Sequence, residues 1–472
     1  MAAIACLVPA TASAAGGTPD GFYGVNPGDL FKLPQSKWDQ NLQAIADDGV
    51  QVVRMGAWWS DLEPGKPVNG HHNYSWSDID KQVVALARNG LQWEPLLCFS
   101  ATWGSKVDGD YNAAPLGEEN FSLFAAALAK RYGPDGSFWT EHPELPKLPV
   151  TAYEIWNEEN AKVYWHPSTP EDYADLYAAS RSAIKSVDPR ARVVLGGLAA
   201  SNGGSTIPPE DFLRAMYAHR PDLKGNVDAV GFHPYAQDPQ SVYAKIAEFR
   251  QELDDIAGPG VPLELTEIGW TTVDVSESQR ADYMRNVTSM LAHTDCDVER
   301  VSAYSWLGPE QDAGDREQWF GIAHADGSNK PTADAYEAAV KKARADAGDT
   351  VRICANNGSS RDIRPRSALK KGTKPAKLKL RVKVRRHTRK SGRLIVKTRC
   401  SKGCLVRVEM RSARPTGTAA ATRLKTFSTK ASSRSRTFRI RYARGTSRLR
   451  LKITAITGAG QKATRRMTVR VA

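Results

Sequence analysis

Two glutamates stand where strand-like runs end, 109 residues apart: Glu158 in Ala152-Tyr-Glu-Ile-Trp-Asn-Glu-Glu-Asn160, and Glu267 in Leu263-Glu-Leu-Thr-Glu-Ile-Gly-Trp270. Two carboxyl groups held across one cleft are the smallest equipment that breaks a glycosidic bond. One protonates the departing oxygen while the other attacks the anomeric carbon or activates a water. Trp156 and Trp270 add flat apolar surface of the kind on which sugar rings stack. Together these residues point to a carbohydrate-active enzyme.

Groups that share one substrate need a rigid frame. Between Phe22 and Arg344 short apolar runs alternate with amphipathic stretches. The predicted strands are Phe22–Asn26, Val52–Arg54, Leu91–Leu97, Ala152–Trp156, Arg192–Gly196, Ala229–Phe232, Leu263–Thr266 and Val301–Trp306. The predicted helices are Trp38–Asp48, Ser77–Asn89, Phe121–Tyr132, Pro170–Val187, Pro209–Arg220, Ser241–Ile256, Glu277–Thr294 and Pro331–Arg344. Alternation of this kind argues for an α/β fold with parallel strands and helical crossovers, and eight strands close a (β/α)8 TIM barrel over residues 20–345. A doubly wound sheet announces itself by a Gly-rich first turn, which Phe22-Tyr-Gly-Val-Asn26 lacks. In a barrel the chemistry sits at the carboxyl ends of the strands. Arg54, Asn157 with Glu158, His233 with Tyr235, Glu267 and Trp306 all fall there, and Trp103 falls in a loop that follows a strand.

At these residues the chain resembles the clan A glycoside hydrolases, particularly the barrels of families 5 and 39. Trp156-Asn157-Glu158 is similar to the strand-four Asn-Glu of that clan, and Thr266-Glu267 to its strand-seven nucleophile. The resemblance implies a retaining glycosidase with Glu158 as acid/base and Glu267 as nucleophile, and it places Arg54, His233, Tyr235 and Trp306 in supporting positions. The chain departs from relatives that carry a histidine after strand three, since Phe99, Ser100 and Trp103 stand there. In this reading Arg54 and the Tyr235 phenol keep the nucleophile ionised, Asn157 holds the sugar 2-hydroxyl, and Trp306 and Trp103 contact substrate. The substrate is a poly- or oligosaccharide whose identity the fold does not carry. Glu154 is expected to be a buried structural carboxylate paired with an arginine, on the same strand face as Trp156 and Glu158. Glu264 is expected on the face opposite Glu267, under a helix. No cofactor is implied, and neither the His nor the Cys spacing resembles a zinc pattern.

Charge divides the chain. Residues 361–472 hold 36 Lys plus Arg against Asp362 and Glu409, a net of +34, while the first 360 carry −21. All twelve tryptophans lie at or before Trp319. Residues 346–375 read as a linker. Within 376–472, strict alternation in Leu378–Val384, Leu405–Met410, Thr437–Tyr442 and Leu449–Ile453 predicts a small antiparallel β-sandwich of immunoglobulin-like type. Its charge exceeds what solubility requires, and its expected partner is an anionic polymer of the cell envelope. No base-reading motif accompanies the charge, so nucleic acid is not the expected ligand.

Residues 1–15 are small and apolar and end in Ala12-Ser-Ala14, the pattern of a signal-peptidase site. The expectation is a secreted, extracellular protein retained at the bacterial cell surface, with no later apolar run long enough to span a membrane. After cleavage five cysteines remain. The expected pairs are Cys400 with Cys404 and Cys296 with Cys354, leaving Cys98 as a buried thiol. The rival reading is a noncatalytic carbohydrate-binding or adhesion protein on the same scaffold, a reading that loss of either glutamate would favour.

Overall fold

The structure is a computed structural model of the chain. It describes residues 18–167, 169–200, 205–312, 314–346 and 350–354, together with seven strands between 380 and 470. The expected leader, most of the expected linker and Cys404 lie outside the described residues. The chain divides into two compact units, one built on a barrel and the other including the C-terminal strands.

Eight parallel strands close in sequence order: Tyr23–Val25 (β1), Val52–Trp58 (β2), Gln92–Cys98 (β3), Ala152–Asn157 (β4), Arg192–Ala199 (β5), Ala229–His233 (β6), Leu263–Ile268 (β7) and Val298–Ala303 (β8). They are buried along almost their whole length because helices cover the outside, which is why they read as apolar runs. Among the described residues ten α-helices intervene or follow: Trp38–Asp47 (α1), Trp59–Leu62 (α2), Ser77–Arg88 (α3), Glu118–Tyr132 (α4), Ser137–Glu141 (α5), Pro170–Val187 (α6), Pro209–His219 (α7), Pro239–Ala257 (α8), Glu277–Leu291 (α9) and Pro331–Ala345 (α10). Their sequences explain both face and ends. On α8, Val242, Ile246, Phe249 and Leu253 recur at helical spacing and are buried. Thr169 and Asp172 form a reciprocal capping box with Pro170 in the first turn of α6, while Asp238 caps α8 and Gly258, at φ +94°, ends it.

Three departures from simple alternation bear on the site. First, β8 begins and ends three residues earlier than predicted, so Trp306 lies beyond the strand. Second, β7 is bulged: Leu265 pairs with Val301 but Ile268 with Ala303, so one residue is extra. That residue restores Glu267 to the same side as Glu264. Glu264 is therefore not under a helix. It meets Arg300 of β8 at 3.2 Å and Arg192 of β5 at 3.0 Å, and Arg300 also pairs with Glu94 of β3 at 2.5 Å. Charges from strands so far apart around the barrel meet only in its interior. Third, Trp156 has φ +71°, which turns its indole away from Glu154 and towards Phe121 and Trp165.

Cys296 is joined to Cys354, and the residues beside this disulfide are tied to the barrel. Val351 bridges Thr294, and the Asp295 carboxylate accepts from the N–H groups of Ile353 and Cys354 at 2.7 and 2.8 Å. Cys98 is a buried thiol without a disulfide partner. Among the described residues no helix is long and apolar enough to cross a membrane.

The second unit contains two antiparallel sheets. Leu380–His387 (β9), Arg393–Cys400 (β10) and Ser435–Arg441 (β13) form one in the order β13-β10-β9. Leu405–Ala413 (β11), Lys425–Phe427 (β12), Arg448–Ile456 (β14) and Lys462–Arg470 (β15) form the other in the order β12-β11-β14-β15. Leu394, Val396 and Thr398 are buried in the first, and Val408, Leu449, Leu451 and Ile453 in the second, the period-two signature of sheets with one dry face.

Candidate active site

Arg54 is the hub of the barrel mouth. It sits on β2, 3% exposed, a depth at which a guanidinium must be fully paired. Its Nε and Nη2 donate to both oxygens of Glu154 at 2.5 and 3.1 Å. Its Nη1 donates to Glu267 Oε1 at 2.8 Å and to Asn26 Oδ1 at 2.9 Å, and its Nη2 also donates to Asn157 Oδ1 at 2.8 Å. Glu154 is thus the buried, arginine-paired carboxylate expected from the sequence. Asn26, just past β1, closes the ring by donating to the carbonyl oxygens of Thr266 and Ala303 at 3.0 and 3.3 Å.

Glu267 is 9% exposed and is held from three sides. Besides Arg54, the Tyr235 hydroxyl donates to its Oε2 at 2.8 Å, and His233 Nδ1 lies 3.6 Å from the same oxygen. Burial pushes its carboxyl up, but His233, Arg54 and Tyr235 outweigh burial and hold it below the usual carboxylate range. The Tyr235 phenol is itself pushed well above its ordinary value by burial and by the Glu267 charge, so it stays protonated and donates.

Glu158 is placed by a tight turn. Its φ is +49°, its N–H donates to Gly197 O at 3.1 Å, and its carbonyl accepts from Ala161 N at 2.7 Å. This left-handed residue at a strand end swings the carboxylate into the mouth, a conformation that costs energy and clusters at functional sites. Its partner is His233, whose Nδ1 lies 2.9 Å from Glu158 Oε1 and whose Nε2 lies 3.0 Å from Thr266 Oγ1. The imidazole is fully buried, and β5 makes room for it with glycine: a Cβ on Gly197 would lie 2.1 Å from His233 Nε2. One oxygen each of Glu158 and Glu267 and one nitrogen of His233 all fall within 4.8 Å of one another. Three such donors also have the reach to hold a cation, but Arg54 already neutralises Glu267 and a metal would compete with it.

The aromatic expectations need correction. Trp306 is fully buried, and its indole donates to Asn41 Oδ1 of α1 at 3.1 Å. Lying three residues past the end of β8, it packs into the core and offers no face to a sugar. The aromatic residue that meets the Glu158, His233, Tyr235 and Glu267 cluster from this strand end is Tyr304, part-exposed and edge-on to Tyr235 at 6.2 Å. Trp156 and Trp270 are buried too, at 0% and 4% exposure. Trp103 is part-exposed in the loop after β3, donating to Glu63 O at 2.9 Å and packing edge-on against Trp59. Sequence reasoning passed over Asn26, although it marks a strand end just as Arg54 does, and Tyr304, hidden by the misplaced eighth strand.

Residues 155–336 match the family model described as "Glycosyl hydrolase catalytic core". A β-xylosidase of Geobacillus stearothermophilus is 27% identical over 149 residues, and the match spans 28% of this chain and 28% of that protein. Among solved structures, the fold is similar to a family 39 β-xylosidase from Caulobacter crescentus, with a TM-score of 0.51 at 19% identity over 84% of each chain. It is also similar to a family 5 subfamily 18 protein from Streptomyces cattleya in complex with GlcNAc, with a TM-score of 0.51 at 14% identity over 71% of this chain and 83% of that one. The sequence match is thus to a glycosyl hydrolase catalytic core over residues 155–336, and the closed parallel barrel is the fold shared with these solved structures.

Proposed function

We propose that this protein is a secreted, retaining glycoside hydrolase in which Glu267 attacks the anomeric carbon and Glu158 serves as acid, then base. The observation that carries the reading is the unequal surroundings of two carboxylates whose oxygens approach within 4.8 Å. A retaining enzyme sets its carboxyl groups about 5–5.5 Å apart, whereas an inverting one leaves about 6.5–9.5 Å for a water. Glu267 has a guanidinium and a phenol on it, which favour the anion that a nucleophile needs. Glu158 bonds the imidazole instead and, at 19% side-chain exposure, faces the mouth through which a leaving group departs.

In the first step Glu267 forms a covalent glycosyl ester as Glu158 gives its proton to the departing oxygen. In the second, Glu158 takes a proton from water, which displaces Glu267 from the same face that the leaving group vacated. Asn157, whose Oδ1 is occupied by Arg54, has its amide N–H groups to offer the 2-hydroxyl of the reacting sugar. The substrate is a poly- or oligosaccharide, and the relatives named β-xylosidases make β-xylosides the first compounds to try. Secretion, and retention by an anionic envelope polymer bound to the basic segment, belong to the same proposal. The rival noncatalytic reading gives no use to the unequal surroundings of the two glutamates.

The test is chemical rescue on an aryl glycoside accepted by the wild type. Glu267→Gly loses turnover, regains it with azide and yields a glycosyl azide of inverted configuration. Glu158→Gln retains activity on substrates with good leaving groups and loses it on poor ones. Near wild-type turnover by the Glu267 variant without azide sinks the assignment.

A further inference from the structure

We propose that the exposed face of the sheet formed by β13, β10 and β9 is a binding surface for an acidic polysaccharide bearing carboxylates along its length; this deepens the reading of an extracellular glycosidase and rests on it. The strand register makes the case. Val384 lies opposite Val396 and Val382 opposite Thr398; Val396 and Thr398 are buried and the two valines of β9 half-buried. The other side of the same strands carries Arg381 and Lys383 on β9 and Lys397 on β10, all three exposed. Lys383 and Lys397 are directly opposite each other. Like charges in direct cross-strand register destabilise a sheet. A face selected only to keep a domain soluble would alternate signs, and residues 361–472 offer just two acidic side chains among 36 basic ones. The second sheet repeats the device. Arg466 of β15 is exposed and lies opposite Lys452 of β14, whose other cross-strand neighbour is Glu409 of β11; Arg450 is exposed beside them, while Leu451 and Ile453 are buried on the reverse side.

The chemistry of the surface selects among polymers. A module that grips neutral glycans needs aromatic platforms, yet residues 361–472 contain no tryptophan and only Phe427, Phe438 and Tyr442 as aromatic rings. Recognition through this segment is therefore ionic. Directly opposed side chains stand about 5 Å apart, and alternate residues on one strand recur every ~7 Å. That grid is much sparser than duplex DNA, which carries a charge per about 1.7 Å of axis. It suits a polymer with one carboxylate per sugar unit. An acidic polysaccharide also belongs with a barrel whose own proposed substrate is carbohydrate.

The experiment uses the full chain and polygalacturonate as probe, with a neutral polysaccharide, a poly(glycerol phosphate) polymer and duplex DNA as the other arms. Wild type is expected to bind polygalacturonate, to weaken at least tenfold between low and physiological salt, and to leave the neutral polymer unbound at its basic segment. Lys383→Glu places an acid opposite Lys397. It is expected to leave Tm equal or higher, because an unlike pair replaces a like one, while Lys383→Glu with Lys397→Glu weakens polygalacturonate binding about tenfold or more. Neither variant is expected to alter turnover of a soluble aryl glycoside, so this proposal and the catalytic one fail separately. Unchanged affinity in the double variant, binding without salt dependence, or tighter binding of DNA or of the phosphodiester polymer than of polygalacturonate overturns the proposal.

Discussion

Tyr235→Phe is the most discriminating single change at the proposed nucleophile, Glu267. It removes one oxygen, the donor that lies 2.8 Å from Glu267 Oε2, and leaves the ring in place against Tyr304 and His233. A hydrogen bond to a charged acceptor contributes about 1.5–3 kcal/mol, and that energy lost at the transition state corresponds to roughly a 10- to 150-fold fall in kcat/KM. The pH dependence carries the sharper prediction. Burial raises the Glu267 carboxyl, while His233, Arg54 and Tyr235 bring it below the usual range, so deleting the phenol must raise it. Since the nucleophile works ionised, the acidic limb of the kcat/KM profile moves to higher pH. The assay is a pH–rate profile on an aryl glycoside, with Tm checked in parallel. A loss under about threefold with an unmoved acidic limb would refute the role assigned to the phenol.

Arg54→Met leaves Glu154 buried without its cation and is expected to destabilise the fold by about 3–5 kcal/mol, read as a fall in denaturation midpoint. Trp306→Phe should lower Tm while KM stays near wild type, whereas Tyr304→Ala should raise KM with little loss of Tm; the opposite pattern would restore Trp306 as the sugar's floor. Cys354→Ser opens a disulfide spanning 58 residues and should cost about 4 kcal/mol on the chain-entropy account, with turnover at low temperature unchanged. Burial, with Glu94 adding to it and Arg300 and Arg192 opposing, pushes the Glu264 carboxyl up to about 8. The folded state then holds a proton that the unfolded chain gives up near its ordinary value of about 4.3, so this group's contribution is full below that pH and is lost as pH rises towards 8. Glu264→Gln should flatten that loss in Tm-versus-pH measurements.

The barrel was legible because parallel strands covered by helices leave uninterrupted apolar runs, and because Ser, Thr, Asp, Pro and Gly punctuate the helix ends. The proposed carboxylate pair stood out in the sequence for a related reason: a glutamate that ends an apolar strand has few structural uses. What failed were the inferences that required alternation to persist to the last residue of a strand. At Trp156 a left-handed residue turns an indole outward, and in β7 a bulge puts Glu264 and Glu267 on one side. Both irregularities lie beside the glutamates of the proposed site, Glu158 and Glu267, the kind of place where local rules give way. The eighth strand was misread because Tyr304 to Trp306 continues its apolar pattern past Ala303. Where side chains of the basic segment are described, alternation did hold, as at Leu394, Val396 and Thr398 and at Leu449, Leu451 and Ile453, since a sheet with one buried face enforces it.

In the proposed mechanism Glu267 becomes covalently attached to the sugar while Glu158 handles the proton. A 2-deoxy-2-fluoro glycoside with a good leaving group slows both steps and, because the leaving group offsets the first, traps the intermediate. Mass spectrometry of the inactivated protein should show one added glycosyl group, mapped by peptide fragmentation to Glu267, with Glu158 unmodified. Absence of any adduct during turnover that inverts the anomeric centre, or an adduct on a residue other than Glu267, would contradict the account.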